Sequence, residues 1–177
     1  MRTSTLFRPA PPRSTLTNVL WTLVQSALIW GLALILVPLL IVALERRFGG
    51  HPVWWIRAPV GAVILFVLCS ALNLAAGFEL AVRGEGTPLP TAGPRKLVVG
   101  GVYRYVRNPM AIAGIGQGIA VGLWFGSPFV LIYALTGALV WHYGIRPAEE
   151  RDLLAHFGEA YARYRTTVPL WRVRGAR

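Results

Sequence analysis

Four apolar segments, separated by short polar or Gly/Pro-rich breaks, restrict what this 177-residue chain can fold into more than any other feature. The first covers about residues 17–44 and the second about 55–82. As a helix, each would be about 42 Å long against a hydrocarbon core of about 30 Å, so each can cross a bilayer with tilt or with protruding ends. The third (110–125) and fourth (128–144) are shorter, and Gly126-Ser127-Pro128 between them is a tight break, so they predict a helical hairpin. Composition agrees, with 14% of residues charged and 55% hydrophobic. A soluble domain carries about 25% charged residues, and the shortfall leaves too little polar surface to face water. The expected fold is all-α: a polytopic membrane protein with about four transmembrane helices and a C-terminal amphipathic helix.

Residues 1–16 read as a flexible tail and 17–177 as a single domain. The basic start (Arg2, Arg8, Arg13) resembles a secretory signal. The apolar run after it is too long, however, and lacks a small-x-small cleavage site, so it predicts a retained span. The net charge of +11 would suggest nucleic acid in a soluble protein. Here the arginines flank apolar segments, and topology accounts for them without a nucleic-acid partner. With four spans, the amino tail, the 83–109 loop and the carboxyl tail share one side and hold 15 Lys and Arg, against 3 (Arg46, Arg47, Arg57) on the other. The positive-inside rule then puts both termini in the cytoplasm. One cysteine, Cys69, allows no disulfide within the chain.

Between the second and third segments lies RGEGTPLPTAGPRKLVVGGVYRYVRNP, residues 83–109. Its first half is too rich in Gly and Pro for regular structure, while the aromatic and basic second half argues for an ordered, working loop. Gly114, Gly118, Gly122 and Gly126 recur every four residues and stack on one side of the third helix, where small residues let helices approach closely. From 147 to 165, Leu153, Leu154, Phe157, Tyr161 and Tyr164 form one stripe of an amphipathic helix that Gly158 weakens. Its simplest role is to anchor the hairpin at the membrane surface.

Two helix starts could carry chemistry. Asn108 is a good N-cap and Pro109 a good first helical residue, and Arg104 and Arg107 add positive charge where free backbone N–H groups already favour an anion. Snorkelling arginines on a capped helix would account for the same residues. At Pro147-Ala148-Glu149-Glu150, acidic residues suit the helix dipole, which again needs no site. The hairpin, however, returns the chain to the same membrane face and sets the two starts side by side.

The order LVVGGVYRYVRNPM, a hairpin, then EERDLLAHFGEAYARYRTTVP resembles the isoprenylcysteine carboxyl methyltransferase and phospholipid methyltransferase superfamily of integral membrane enzymes, and Gly86-Thr87-Pro88 looks like its bacterial members. The resemblance covers about residues 84–171. It implies S-adenosylmethionine-dependent methyl transfer to a lipophilic acceptor, in an integral protein of a bacterial inner membrane with membrane lipids as partners. Carried over, Gly101, Tyr103, Arg107, Asn108 and Pro109 would line one side of a cytoplasmic-side cofactor pocket, and His142, Glu149 and Glu150 the other. Arg107 suits the cofactor's carboxylate; the Glu149 and Glu150 carboxylates suit its amino group and ribose hydroxyls. The resemblance implies no metal. Three positions depart from the family pattern: Asn108 stands for a frequent His, Ala111 for a usual Tyr, and Thr167 for an Arg before Val168-Pro169, with Arg165 close by.

Methyl transfer from a sulfonium is an in-line displacement, for which alignment is the main requirement. His142 could take a proton from a weakly acidic acceptor. A carboxylate acceptor would need no base, only an arginine such as Arg107 or Arg165 to position it. Two other readings compete. Membrane steroid and sterol reductases resemble the same carboxyl half and would use NADPH, but the Glu149-Glu150 pair would repel a 2′-phosphate. A non-catalytic scaffold would use the glycine stripe to pack against a partner. The acceptor and the oligomeric state are not legible in the sequence.

Overall fold

A computed structural model describes residues 10–89 and 92–171, and the described regular structure is helical. Helix α1 runs Thr15–Arg47, α2 Pro59–Val82, α3 Pro109–Phe125 and α4 Pro128–Thr167. Three of them (α1, α2 and α4) are long and apolar enough to cross a membrane; α3 is apolar but shorter, at 17 residues. Of the most apolar window of α1 only 17% is buried within the protein, and of that of α4 only 11%. Faces this apolar and this exposed are stable only against lipid.

The helix ends follow local chemistry. Ser14 caps α1, its side chain accepting from the Thr17 N–H at 3.2 Å. The helix continues past residue 44 because nothing stops it before Gly49, which takes φ +79° while the Gly50 N–H returns to the Glu45 carbonyl at 2.7 Å. The second helix starts at Pro59 rather than at residue 55: proline is fit for a first helical position, and the residue before it, Ala58, is non-helical. Between α3 and α4, Gly126 (φ +62°) ends one helix and Ser127 caps the next, accepting from the Val130 N–H at 3.1 Å.

Two prolines inside helices are handled in the same way. In α1 the turn Leu32–Leu36 is a π-turn, with the Val37 N–H reaching Leu32. The next donor in that register would be residue 38, a proline with no N–H, which strands the Ala33 carbonyl. The Tyr133 hydroxyl of α4 donates to it at 3.1 Å. In α4 the turn Trp141–Ile145 is also a π-turn, and Pro147 likewise strands the His142 carbonyl. Here Arg146 Nε donates at 3.0 Å. A freed carbonyl at membrane depth is tolerated when it is re-satisfied in this way. The chain therefore does not break between 144 and 147: the fourth apolar segment and the C-terminal helix are one helix, apolar as far as Ile145 and polar from Arg146 onward. Its later bend is at Gly158, whose φ of 54° and ψ of −130° only glycine adopts readily.

The helices pack through small residues, with Ala76 and Gly77 of α2, Ala113, Gly118, Ala120 and Gly122 of α3 and Ala134 of α4 all buried. The glycine stripe does not present one surface. A Cβ on Gly118 would lie 2.9 Å from the Ala134 Cβ and one on Gly122 2.5 Å from Leu131, so those two seat α4. Gly114 instead admits the Trp30 ring of α1, and Gly126 turns the chain. The apolar stripe of α4 is largely used for packing within the protein: Tyr161, Tyr164 and Val168 pack with Leu97 of the 83–109 loop, with Leu153 and Phe157 against them, while Leu154 is exposed. Of the tail expected over 1–16, residues 1–9 lie outside the described residues; Ala10 is buried and its N–H donates to the Gly93 carbonyl at 2.9 Å.

Candidate active site

The 83–109 loop closes on itself before it reaches α3. The Thr87 N–H and hydroxyl both donate to the Ala92 carbonyl (2.8 and 3.1 Å), the Arg95 N–H donates to Gly84, and Lys96 pairs with Glu85. A 3-10 turn, Gly101–Arg104, follows. Gly101 has φ +55°, and a Cβ there would lie within 2.1 Å of Glu79, so glycine is required for the turn to sit on α2. Next to it Tyr103 is buried, and its carbonyl accepts from the Tyr164 hydroxyl at 2.7 Å. The Arg107 N–H donates to the Pro169 carbonyl at 3.0 Å. Asn108 then caps α3 by accepting from the Ala111 N–H at 3.0 Å, with Pro109 buried behind it. The segments at Asn108 and at Glu149-Glu150, only the first of which is a true helix start, are thus held together by the carboxyl-terminal strap as well as by the hairpin.

Where they meet, a cavity of about 310 Å3 opens, bordered by the loop, the start of α3, one side of α1 and the polar part of α4. Its wall includes Tyr103, Arg107, Asn108, Glu149 and Glu150. Glu150 is the electrostatic hub. Arg107 Nη1 reaches its Oε1 at 2.8 Å, Arg146 reaches its Oε2 at 3.3 Å, and Arg165 stands 4.0 Å from the same oxygen. Both members of the Arg107–Glu150 pair are mostly buried, and breaking such a pair costs about 3–5 kcal/mol because a charge is left behind. Glu149 differs: it takes part in no hydrogen bond or ion pair with the described residues. Burial, and then the neighbouring Glu150 charge, push its carboxyl up to about 6. Burial likewise raises the Tyr103 and Tyr164 hydroxyls well above the ordinary range, which keeps them neutral.

The remaining residues singled out in the sequence fall around this cavity rather than in it. Pro109 and Gly101 shape the backbone behind its wall, and Arg165 stands outside it, beside Glu150 and Tyr161. His142 is turned away: its Nδ1 accepts from the Trp171 indole N–H at 3.2 Å and its ring meets Trp171 and Tyr143. Sequence reasoning missed Arg146, whose approach to Glu150 follows from the Pro147 break, and Tyr161 and Tyr164, assigned to a stripe instead of a wall. It also missed Gln25, Ser26 and Trp30 of α1. Polar side chains inside an apolar segment were the available signal, since they are expensive in a bilayer. Trp30 gives the cavity an aromatic wall beside Ala111, where the family pattern has a Tyr.

The donor set suits a zwitterionic, partly cationic ligand such as S-adenosylmethionine. An unpaired acid faces the cavity, one arginine, Arg107, has its Nε buried without a partner among the described residues, and aromatic and aliphatic side chains supply the rest of the wall. No group of three or more His, Cys, Asp or Glu side chains among the described residues is placed to hold a metal ion.

Of the known protein families, the phospholipid methyltransferase family matches residues 58–160. No curated protein and no solved structure matches the chain.

Proposed function

Since this chain belongs to the phospholipid methyltransferase family, we propose that it transfers a methyl group from S-adenosylmethionine to a lipophilic acceptor at the cytoplasmic face of a membrane, with all four helices crossing and both termini cytoplasmic. The observation that carries this reading is the pairing of Glu150, held by arginines, with Glu149, left open, in one cavity at the start of α3. When bound, the cofactor supplies an electrophilic methyl on a sulfonium. Glu149, ionised opposite a cation, would hold the cofactor's amino group or ribose hydroxyls. Glu150 holds Arg107 at the cavity wall, where the guanidinium meets a carboxylate. Trp30 and Tyr103 line the cavity and help to exclude water from it. The Asn108 cap fixes the direction of the α3 start, and the Tyr164 hydroxyl fixes the loop beneath it.

A carboxylate acceptor needs alignment and no proton removal, whereas an amine is an ammonium at neutral pH and must first lose a proton. Placement of His142 against Trp171 removes the best base from the cavity, so chemistry without a base fits these residues better. Isothermal titration of the purified protein with S-adenosylhomocysteine and with NADPH tests the reading. We expect saturable binding of the first, weakened in Glu149→Gln, and none of the second. Binding of NADPH alone would replace methyl transfer by a reductase chemistry.

A further inference from the structure

A groove of about 380 Å3, bounded by α1, α2 and α3, lies at the end of the molecule away from the candidate active site. Every side chain that lines it is aliphatic or aromatic, among them Leu39, Val63, Val67 and Trp124. Leu39, Val63 and Val67 stay exposed, so the groove is open on the side where lipid lies. Trp124 stands sixteen residues beyond Asn108 along α3, about 24 Å away, too far to belong to the first cavity.

Past the outer end of this groove come Arg46, Arg47 and Arg57, the three basic residues that the charge asymmetry leaves on the minority side. Arg46 lies seven residues beyond Leu39 on the same face of α1, and Arg57 two residues before α2 begins at Pro59. All three are exposed, and none takes part in an ion pair among the described residues. Glu45 is the only acid before residue 79, and the Ser127 hydroxyl already donates to it. The chain between the arginines is held in place: the Val53 N–H donates to the Gly126 carbonyl at 2.9 Å and the Ala58 N–H to the Leu123 carbonyl at 3.1 Å. Yet Phe48, Trp54 and Trp55 on it are 85%, 83% and 71% exposed. A fixed backbone that turns three large rings outward suits the headgroup level of a bilayer, where amphipathic rings are favoured.

We propose that the groove and its basic rim bind one anionic phospholipid of the leaflet opposite the candidate active site, with an acyl chain in the groove and the phosphate at Arg46 and Arg57. Apolar surface open to the bilayer takes the chain, and exposed guanidinium groups without a counter-ion take the phosphate. The competing occupant is a second copy of this chain. Two copies side by side in one orientation would bring the same unpaired arginines together, and like charges in an interface repel; a lipid phosphate supplies the missing negative charge. The proposal depends on the membrane setting and not on the methyl-transfer reading.

The test is native mass spectrometry of the purified protein in neutral detergent, titrated with palmitoyl-oleoyl phosphatidylglycerol and with the phosphatidylcholine of the same chains. We expect one tightly held phosphatidylglycerol, bound at least about ten-fold tighter than phosphatidylcholine. In Arg46→Gln/Arg57→Gln the two lipids should bind within about two-fold of each other. Arg151→Gln removes an exposed charge at the other end of the molecule and should keep the preference. Val67→Trp fills the groove from its open side and should weaken both lipids together. Equal affinities in the wild type, a preference that survives in the double arginine variant, or binding undiminished in Val67→Trp would each overturn the proposal. A dimer in detergent that Val67→Trp dissociates, with no preference between the lipids, would assign the groove to a second copy instead. S-adenosylhomocysteine binding should be the same in the wild type, Val67→Trp and the double arginine variant, and its absence from all three would count against methyl transfer alone.

Discussion

At the scale of residues, two neighbouring glutamates separate by environment. Glu150 is neutralised by arginines on three sides, whereas Glu149 is partly buried without an ion-pair partner among the described residues and stays protonated up to about pH 6. In an unfolded chain Glu149 would ionise at its ordinary 4.5. The folded state therefore holds an extra proton between those values. The stability this confers is fully present below the lower one and lost as pH rises through the upper. At 1.36 kcal/mol per unit the loss is about 2 kcal/mol. Glu149→Gln should match the wild type in thermal unfolding near pH 4 and exceed it near pH 7.5, without ligand. A constant difference across that range would refute the assignment. Cation binding works in the opposite direction: wild-type affinity for S-adenosylmethionine should rise between about pH 5 and 7, and the Glu149→Gln affinity should stay flat.

At the scale of elements, the recurring device is a π-turn followed by a proline, with a side chain catching the carbonyl that the proline strands. In α1 that side chain is Tyr133 and ties two helices together; in α4 it is Arg146, which by the same contact is aimed at Glu150. Both prolines are visible in the sequence, where Pro147 reads as a helix start. Whether a proline ends a helix or merely loosens one turn depends on which donor lies across from it, and that donor can be a hundred residues away. The glycine stripe of α3 divides in the same way, by neighbour. Gly118→Leu should lower the unfolding temperature in detergent sharply, because the Ala134 Cβ already stands 2.9 Å from where a Cβ would sit, and overpacking costs about 1–3 kcal/mol or more. Gly137→Ala, with open space around it, is the control and should be neutral or slightly stabilising. Equal effects of the two substitutions would show that the α3–α4 contact is not tight.

At the scale of the whole molecule, the apolar surface and the distribution of arginines together set the protein in a membrane, and its family membership sets it among membrane methyltransferases. The proposed topology is tested with reporters active only outside the cytoplasm: fusion at Gly50 should be active and fusion at the carboxyl terminus silent, and the reverse would invert the molecule. In that orientation the candidate active site opens toward the cytoplasm.

The sequence by itself determined the four apolar segments, the capped start at Asn108-Pro109 and the order of motifs that marks the family. Those properties depend on residues close together along the chain, on hydrophobic length and on local cap chemistry. Tertiary structure alone decided which glutamate holds the arginines, that His142 turns to Trp171, and that Gln25, Ser26 and Trp30 of the first span enter the site. The physical reason is that a helix can be recognised from its own residues, but its rotation about its axis is set by the surfaces packed against it. That rotation decides which side chains share a cavity.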